Sequence, residues 1–263
     1  MDDRVRVELS EGIAEVRLVR ADKHNGLDRR MFEALLATGE RLAGEPSLRA
    51  VVLVGDGPSF CAGLDFAAFM REGMDTAAML RREEGSPVNF AQAAAWVWHE
   101  LPVPVIAALH GHVYGGGLQI ALAADLRYVT ADARLSVREI QWGLVPDMTG
   151  TQTLRHLVRL DVAKELTFTG RIVSGEEAVA LGLATRVEAD PLAAARSTAR
   201  EIAARSPDAI RADKRLFNTA CTGSTEDGLR LEEEIQRQVI GRPNQLEAVM
   251  AGLQKRPPVF RDP

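Results

Sequence analysis

Twice in this chain an apolar, strand-like run ends in a glycine-marked turn that leads toward a helix. The first run is Ala50-Val51-Val52-Leu53-Val54, with Ser59-Phe60-Cys61-Ala62-Gly63-Leu64-Asp65 beyond it. The second is Val103-Pro104-Val105-Ile106-Ala107-Ala108-Leu109, followed by Gly111-His112-Val113-Tyr114-Gly115-Gly116-Gly117. Repeated alternation of strand and helix confines the chain to the α/β class. The junctions also carry chemistry. An unpaired N–H at a helix start bears partial positive charge, and glycine lets a ligand oxygen reach the main chain without meeting a Cβ. Two such amides aimed at one carbonyl would stabilise an enolate or a tetrahedral adduct.

The rest of the pattern agrees with an α/β reading. Val5–Leu9 and Ile13–Val19 alternate with period two, and Ser10-Glu11-Gly12 between them reads as a hairpin turn. Asp28 is placed to cap a helix whose inward stripe is Met31, Ala34, Leu35, Thr38 and Leu42. After the glycine triplet, Leu118 to Ala124 reads as helix and Leu126–Val129 as strand. Arg71 to Ser86, rich in charge and Met, reads as a mobile covering segment. From Thr149 onward helices are expected at 149–158, 161–167, 175–181, 190–205, 207–220, 225–240 and 243–254, interrupted by a short strand at 184–187. The late helices hold more apolar positions than a small core covers, among them Leu229, Ile235, Val239, Leu246, Val249, Met250 and Leu253. Subunit contact would use the surplus; packing on the same domain would also absorb it.

Composition removes several function classes. With 263 residues, 46% hydrophobic and 26% charged, the chain can bury a substantial core, as one domain or as a main domain with an appendage. A net charge of −5 argues against nucleic acid as a partner, although basic spots such as Arg20 and Lys23 suit a phosphorylated small ligand. Met1-Asp2-Asp3-Arg4 lacks the apolar stretch of a signal peptide and no apolar run reaches membrane-spanning length, so a cytoplasmic address without membrane contact is expected. Two distant cysteines, Cys61 and Cys221, suit reduced thiols, and Cys61 reads as packing beneath the first junction rather than as a nucleophile. His110 and His112 lack a third ligand at suitable spacing, so no metal is expected. Phe90, Trp96 and Trp98 read as core or pocket wall. Nucleophile-elbow, phosphate-loop, zinc-protease and dinucleotide-binding signatures are all missing.

Four segments in order resemble the crotonase family, also called the enoyl-CoA hydratase/isomerase family. They are Asp22-Lys23-His24-Asn25-Gly26-Leu27, Phe60–Asp65, the Gly115–Gly117 triplet, and Val137–Pro146 with Gly150-Thr151-Gln152. The resemblance implies an α/β, crotonase-like spiral of ββα turns with a C-terminal helical oligomerisation region. The expected division is a core with the acyl-CoA site over 1–200 and a trimerisation region over 201–263. It also implies a homotrimer or a hexamer built from two trimers, an acyl-CoA thioester as substrate, and no cofactor beyond its CoA moiety. The family's oxyanion donors fall on the N–H groups of Leu64 and Gly116. Family precedent puts the nucleotide near Lys23, His24, Ala62 and Asp65, with Lys23 meeting a phosphate as a point charge.

The carboxylates then separate the reactions. Hydratases of the family use two glutamates; the second matches Glu139, and the first is Gln119 here. An amide takes no proton from water at neutral pH. Three residues from Gly116 at a helix start, Gln119 is expected to face the pocket and orient a water or a substrate oxygen. Asp147 stands where the family's dienoyl-CoA isomerases carry an aspartate, and a pair of acids suits proton shuttling along an acyl chain. Asp147 is equally a helix N-cap candidate, and Glu139 beside Arg138 a candidate solvated ion pair. The expected activity is an enoyl- or dienoyl-CoA double-bond isomerase acting through a thioester enolate. Enoyl-CoA hydration is the alternative within the class, and a catalytically silent acyl-CoA binder the alternative outside it.

Overall fold

A computed structural model describes residues 4–73 and 75–263. The expectation drawn from Met1-Asp2-Asp3 lies outside these residues. The strands are β1 (Val5–Ser10), β2 (Ile13–Leu18), β3 (Ala50–Gly55), β4 (Val105–Leu109), β5 (His112–Tyr114), β6 (Leu126–Val129), β7 (Arg134–Ser136), β8 (Val173–Ser174) and β9 (Arg186–Val187). Interleaved with them are α1 (Arg29–Ala43), α2 (Phe66–Glu72), α3 (Thr76–Met79), α4 (Phe90–Glu100), α5 (Gly116–Leu122), α6 (Gly150–Leu157), α7 (Leu160–Thr169) and α8 (Gly175–Leu181). Four helices end the chain: α9 (Pro191–Ala203), α10 (Pro207–Ala220), α11 (Thr225–Val239) and α12 (Pro243–Gln254).

Six strands form one sheet in the order β1-β2-β3-β4-β6-β9, parallel from β2 onward with β1 antiparallel at the edge. Every residue of β3 and β4 is buried, as central parallel strands covered on both faces require. One face lies on α1, α4 and α5, and the main core, with Leu53, Phe32, Leu35 and Trp98 inaccessible or nearly so, fills that space. The other face is closed by α9, whose Ala195 and Ala199 pack on Val52, Ile106 and Tyr128. Each fully buried large apolar side chain contributes about 1.5–3 kcal/mol.

Asp28 caps α1 by accepting the Met31 N–H at 2.9 Å, and the anticipated stripe is buried. Other boundaries shift for local reasons. β4 begins two residues later than the apolar run, because Pro104 has no N–H for a ladder and contributes only its carbonyl, to Val51. α5 begins at Gly116, since Gly115 with φ 51° makes the turn and the remaining glycines already lie in the helix. The last short strand keeps only Arg186 and Val187. The covering segment holds the end of α2, all of α3 and an isolated bridge between Arg82 and Asn89; Met74 within it lies outside the described residues.

A second sheet, β5-β7-β8, has no counterpart in the pattern, because strands of two or three residues are too short to display a period. It matters most for function. Cys61 is bridged to Val113 and Leu27 to Leu64, so residues around 27, 63, 114 and 136 stack as successive rungs. The two glycine junctions are thereby brought side by side.

Candidate active site

The first junction is held from below by Asn25, which is fully buried. Its Nδ2 donates to the carbonyls of Asp56, Ser59 and Phe60 at 2.9, 2.8 and 3.1 Å, and its Oδ1 accepts the Arg20 N–H. At Leu27 the N–H donates to Gly63 O (2.8 Å), and Asp65 N–H donates to Leu27 O (3.0 Å). Bonds at 63 and 65 on one side leave the intervening Leu64 amide pointing the other way. In the second junction Gly115 N–H is taken by Ser136 O, and Gly116 opens α5, where an N–H has no intrahelical acceptor. Among the described residues neither the Leu64 nor the Gly116 N–H has a hydrogen-bond partner. The junctions touch: a Cβ on Gly63 would lie 2.7 Å from Tyr114 O and 3.6 Å from Gly116 N.

Glu139 opens a single 3-10 turn, Glu139–Trp142, and its carboxyl lies against the second junction. A Cβ on Gly115 would sit 3.3 Å from Glu139 Oε1. Gln119 Nε2 donates to that same oxygen at 2.6 Å, while Gln119 Oε1 accepts the N–H groups of Met148 (2.9 Å) and Gly150 (2.8 Å). Two main-chain donors at one end of the amide fix which end is oxygen. Glu139 Oε2 is buried and without a partner among the described residues. The reading of Glu139 as half of a solvated pair with Arg138 is therefore set aside; the Arg138 guanidinium lies over the Tyr114 ring instead.

The expectation for Gln119 is corrected. The side chain is 2% exposed and its polar ends are spent on Glu139 and on the loop around Asp147, so it orients the acid and not a water. The cap reading of Asp147 is corrected too. The residue before α6 is Thr149, in a left-handed conformation with no side-chain cap, and Asp147 accepts no side-chain hydrogen bond among the described residues.

Both carboxyls are held above the ordinary carboxylate range. For Glu139 the main cause is desolvation, which hydrogen bonds from its own main-chain N–H, Gln119 and the Arg138 N–H only partly offset and which the negative charge of Asp147 reinforces. For Asp147 the cause is desolvation, opposed by a hydrogen bond from its own main-chain N–H, and the residue is exposed overall. Folding thus favours the protonated acids: their contribution to stability is complete in acid and is lost as pH rises through the raised values. Glu139→Gln is therefore expected to melt above the parent protein at neutral pH, with the gap closing in acid. Thermal denaturation followed across pH checks this, and a gap independent of pH contradicts it.

The remaining expected residues gather at one edge of this site. Ala62 N–H donates to His24 O at 2.9 Å, and Lys23 is exposed in the turn just before. His24 Nδ1 lies 2.9 Å from Ser59 Oγ. Asp65 needs a partial correction: its carboxylate caps α2 through Ala68 N–H and pairs with Arg20 at 2.7 Å, so it is not a free contact for a nucleotide. Arg20 is likewise committed, to Asp65 and Gly26 O, and is no phosphate site. Burial pushes the Cys61 thiol up to about 12, and its Sγ faces Asn25 O, as packing under the loop predicts. Asn25 was within reach of sequence reasoning as part of the opening signature, but a polar side chain bonded only to main chain leaves no periodic trace. No described group of His, Cys, Asp and Glu is arranged to hold a metal ion, and no described helix is long and apolar enough to cross a membrane.

Paired main-chain donors next to a shielded acid are an apparatus for generating charge on a carbonyl oxygen and moving a proton beside it. The sequence model of the family described as Enoyl-CoA hydratase/isomerase matches residues 8–263. Rat mitochondrial methylglutaconyl-CoA hydratase is 32% identical over 271 residues, covering 99% of this chain and 84% of the relative. Crystal structures of enoyl-CoA hydratases from Bacillus anthracis (29% identity) and Mycobacterium tuberculosis H37Rv (28%) each superpose with a TM-score of 0.88, over 99% of this chain and 100% of theirs. The chain belongs to the enoyl-CoA hydratase/isomerase, or crotonase, family. It is an acyl-CoA enzyme with the crotonase fold.

Proposed function

We propose that this enzyme moves a carbon–carbon double bond along an enoyl- or dienoyl-CoA, using the Leu64 and Gly116 amides as the oxyanion hole, Glu139 as the base and Asp147 as the partner acid. The observation that carries the reading is the engagement of Glu139 by an amide. Where two carboxylates would serve an attacking water, Gln119 donates a hydrogen bond and, as an amide, accepts no proton at neutral pH. The thioester carbonyl accepts from Leu64 and Gly116, Glu139 Oε2 removes a proton from the acyl chain, and the electron pair moves onto the thioester oxygen. Collapse of that enolate takes a proton from a protonated Asp147 further along the chain, and the proton left on Glu139 returns to Asp147 before the next turnover, so substrate and product are isomers and the enzyme is restored. Each amide donor is worth about 2.7–4 kcal/mol in acyl-transfer precedent.

Hydration is the second reading, favoured by the names of the relatives, with Glu139 and Asp147 acting on a water. Ultraviolet monitoring of 2-enoyl, 3-enoyl and 3,5-dienoyl thioesters separates the two. Isomerisation creates conjugation from a 3-enoyl thioester, whereas hydration destroys it in a 2-enoyl thioester. Asp147→Asn is expected to slow isomerisation about 10²-fold or more. Isomerisation unaltered in that variant, or hydration as the only conversion, would overturn the proposal, and binding without any conversion would favour the silent binder.

On the CoA side the same reading assigns the nucleotide end to the Lys23-His24 turn and Ala62. Leu229, Leu246, Val249, Met250 and Leu253 are exposed on α11 and α12, and we assign them to contacts between copies in a homotrimer. Light scattering of the purified protein checks that assignment.

A further inference from the structure

One aromatic pair joins two segments of the site. Phe66 is the first residue of α2, two positions beyond Leu64, and its N–H donates to Leu64 O at 3.1 Å. Trp142 closes the 3-10 turn that Glu139 opens. Their ring centroids are 4.3 Å apart with 34° between the planes, so the rings join the segment bearing one oxyanion donor to the segment bearing the acid. Trp142 is nevertheless 59% exposed, as is much of the apolar surface on the same two segments: Met70, one turn on from Phe66, and Val145, two residues before Asp147. Isolated exposed apolar side chains carry no message, but these share the two segments that flank the reacting position.

We infer that Phe66 and Trp142 form the wall that reads the acyl chain, and that they select short, planar unsaturated acyl groups over long flexible ones. This rests on the proposed placement of the thioester carbonyl at Leu64 and Gly116. An acyl chain leaving that carbonyl must pass Glu139 to react, and the ring pair joins the segment just beyond Leu64 to the turn that begins with Glu139. A flat π-face contacts a conjugated enoyl or dienoyl group over its whole area, whereas the indole takes up room that further methylenes would need. One methylene accepted or refused by an apolar pocket changes selectivity about 10- to 200-fold.

The experiment uses the full chain and saturated acyl-CoAs from butanoyl- to hexadecanoyl-CoA, which bind without reacting, measured by calorimetry for the parent protein, Trp142→Ala, Trp142→Phe and Phe66→Leu. The parent is expected to bind the short members best. Trp142→Ala should move the preference toward long chains by about tenfold or more, and Trp142→Phe, which keeps a ring pair, should retain the parental order. A uniform loss at every chain length in Trp142→Ala, with an unchanged melting temperature, would overturn the inference and leave the pair as a stitch between two segments. Because the ligands are inert, a failure of the isomerase reading shows itself separately, as absence of conversion of unsaturated thioesters.

Discussion

Glu139→Gln is expected to lower turnover by about 10²–10⁴-fold, the usual contribution of a positioned acid or base, while acyl-CoA affinity changes little. The substitution is isosteric. The new carbonyl oxygen still accepts from Gln119 Nε2, and an amide NH₂ replaces the carboxylate oxygen that has no partner among the described residues. Substrate would thus meet the same surface without a proton acceptor. Single-turnover ultraviolet kinetics with parallel calorimetry of acyl-CoA binding checks both halves of the statement. Full turnover would remove Glu139 from the mechanism, and loss of binding would mark it as a structural residue.

Gly63→Ala tests the other half of the machinery. Gly63 has φ +87°, and a Cβ there would stand 2.7 Å from Tyr114 O, a main-chain atom with little freedom to retreat. The left-handed backbone alone costs about 1–2 kcal/mol. Relief of the contact must separate the Leu64 and Gly116 stations, and if these are the oxyanion donors, as proposed, turnover is expected to fall roughly 10²–10³-fold as they lose alignment. Gly241→Ala is the control: φ is +77° there, with nothing within 4 Å of the added carbon, so it should lose stability and keep activity. Comparable turnover losses in the two variants would mean that backbone strain, and not the geometry of the donors, is being measured.

What the sequence reveals about this fold is what repeats within one element. The stripe from Met31 to Leu42 is inward-facing because a helix has a period, and the apolar β3 and β4 announce a sheet covered on both faces. The small sheet of β5, β7 and β8 shows no such pattern, since its strands are set by bonds between distant residues such as His112 with Arg134 and Leu135 with Val173. The same division runs through the site. Leu64, Gly116, Glu139 and Asp147 are marked by glycine turns and by motif, so they can be named in advance. Gln119 can be named but not understood, because its position on α5 says that it points inward and nothing about Met148 and Gly150 waiting there from another loop. Asp147 as a cap failed for a related reason. Helix α6 starts from Thr149 with positive φ, a geometry that local composition does not announce.

The hydrogen bond from Gln119 to one oxygen of Glu139 gives the carboxyl a handedness. Among the described residues Oε1 accepts from Gln119 and Oε2 has no partner, so in the proposed mechanism the proton that Glu139 exchanges would pass through Oε2. A planar enolate held by its oxygen presents only one of its two faces to that atom. Under that mechanism the enzyme would distinguish mirror-related hydrogens on a carbon that has no chirality of its own.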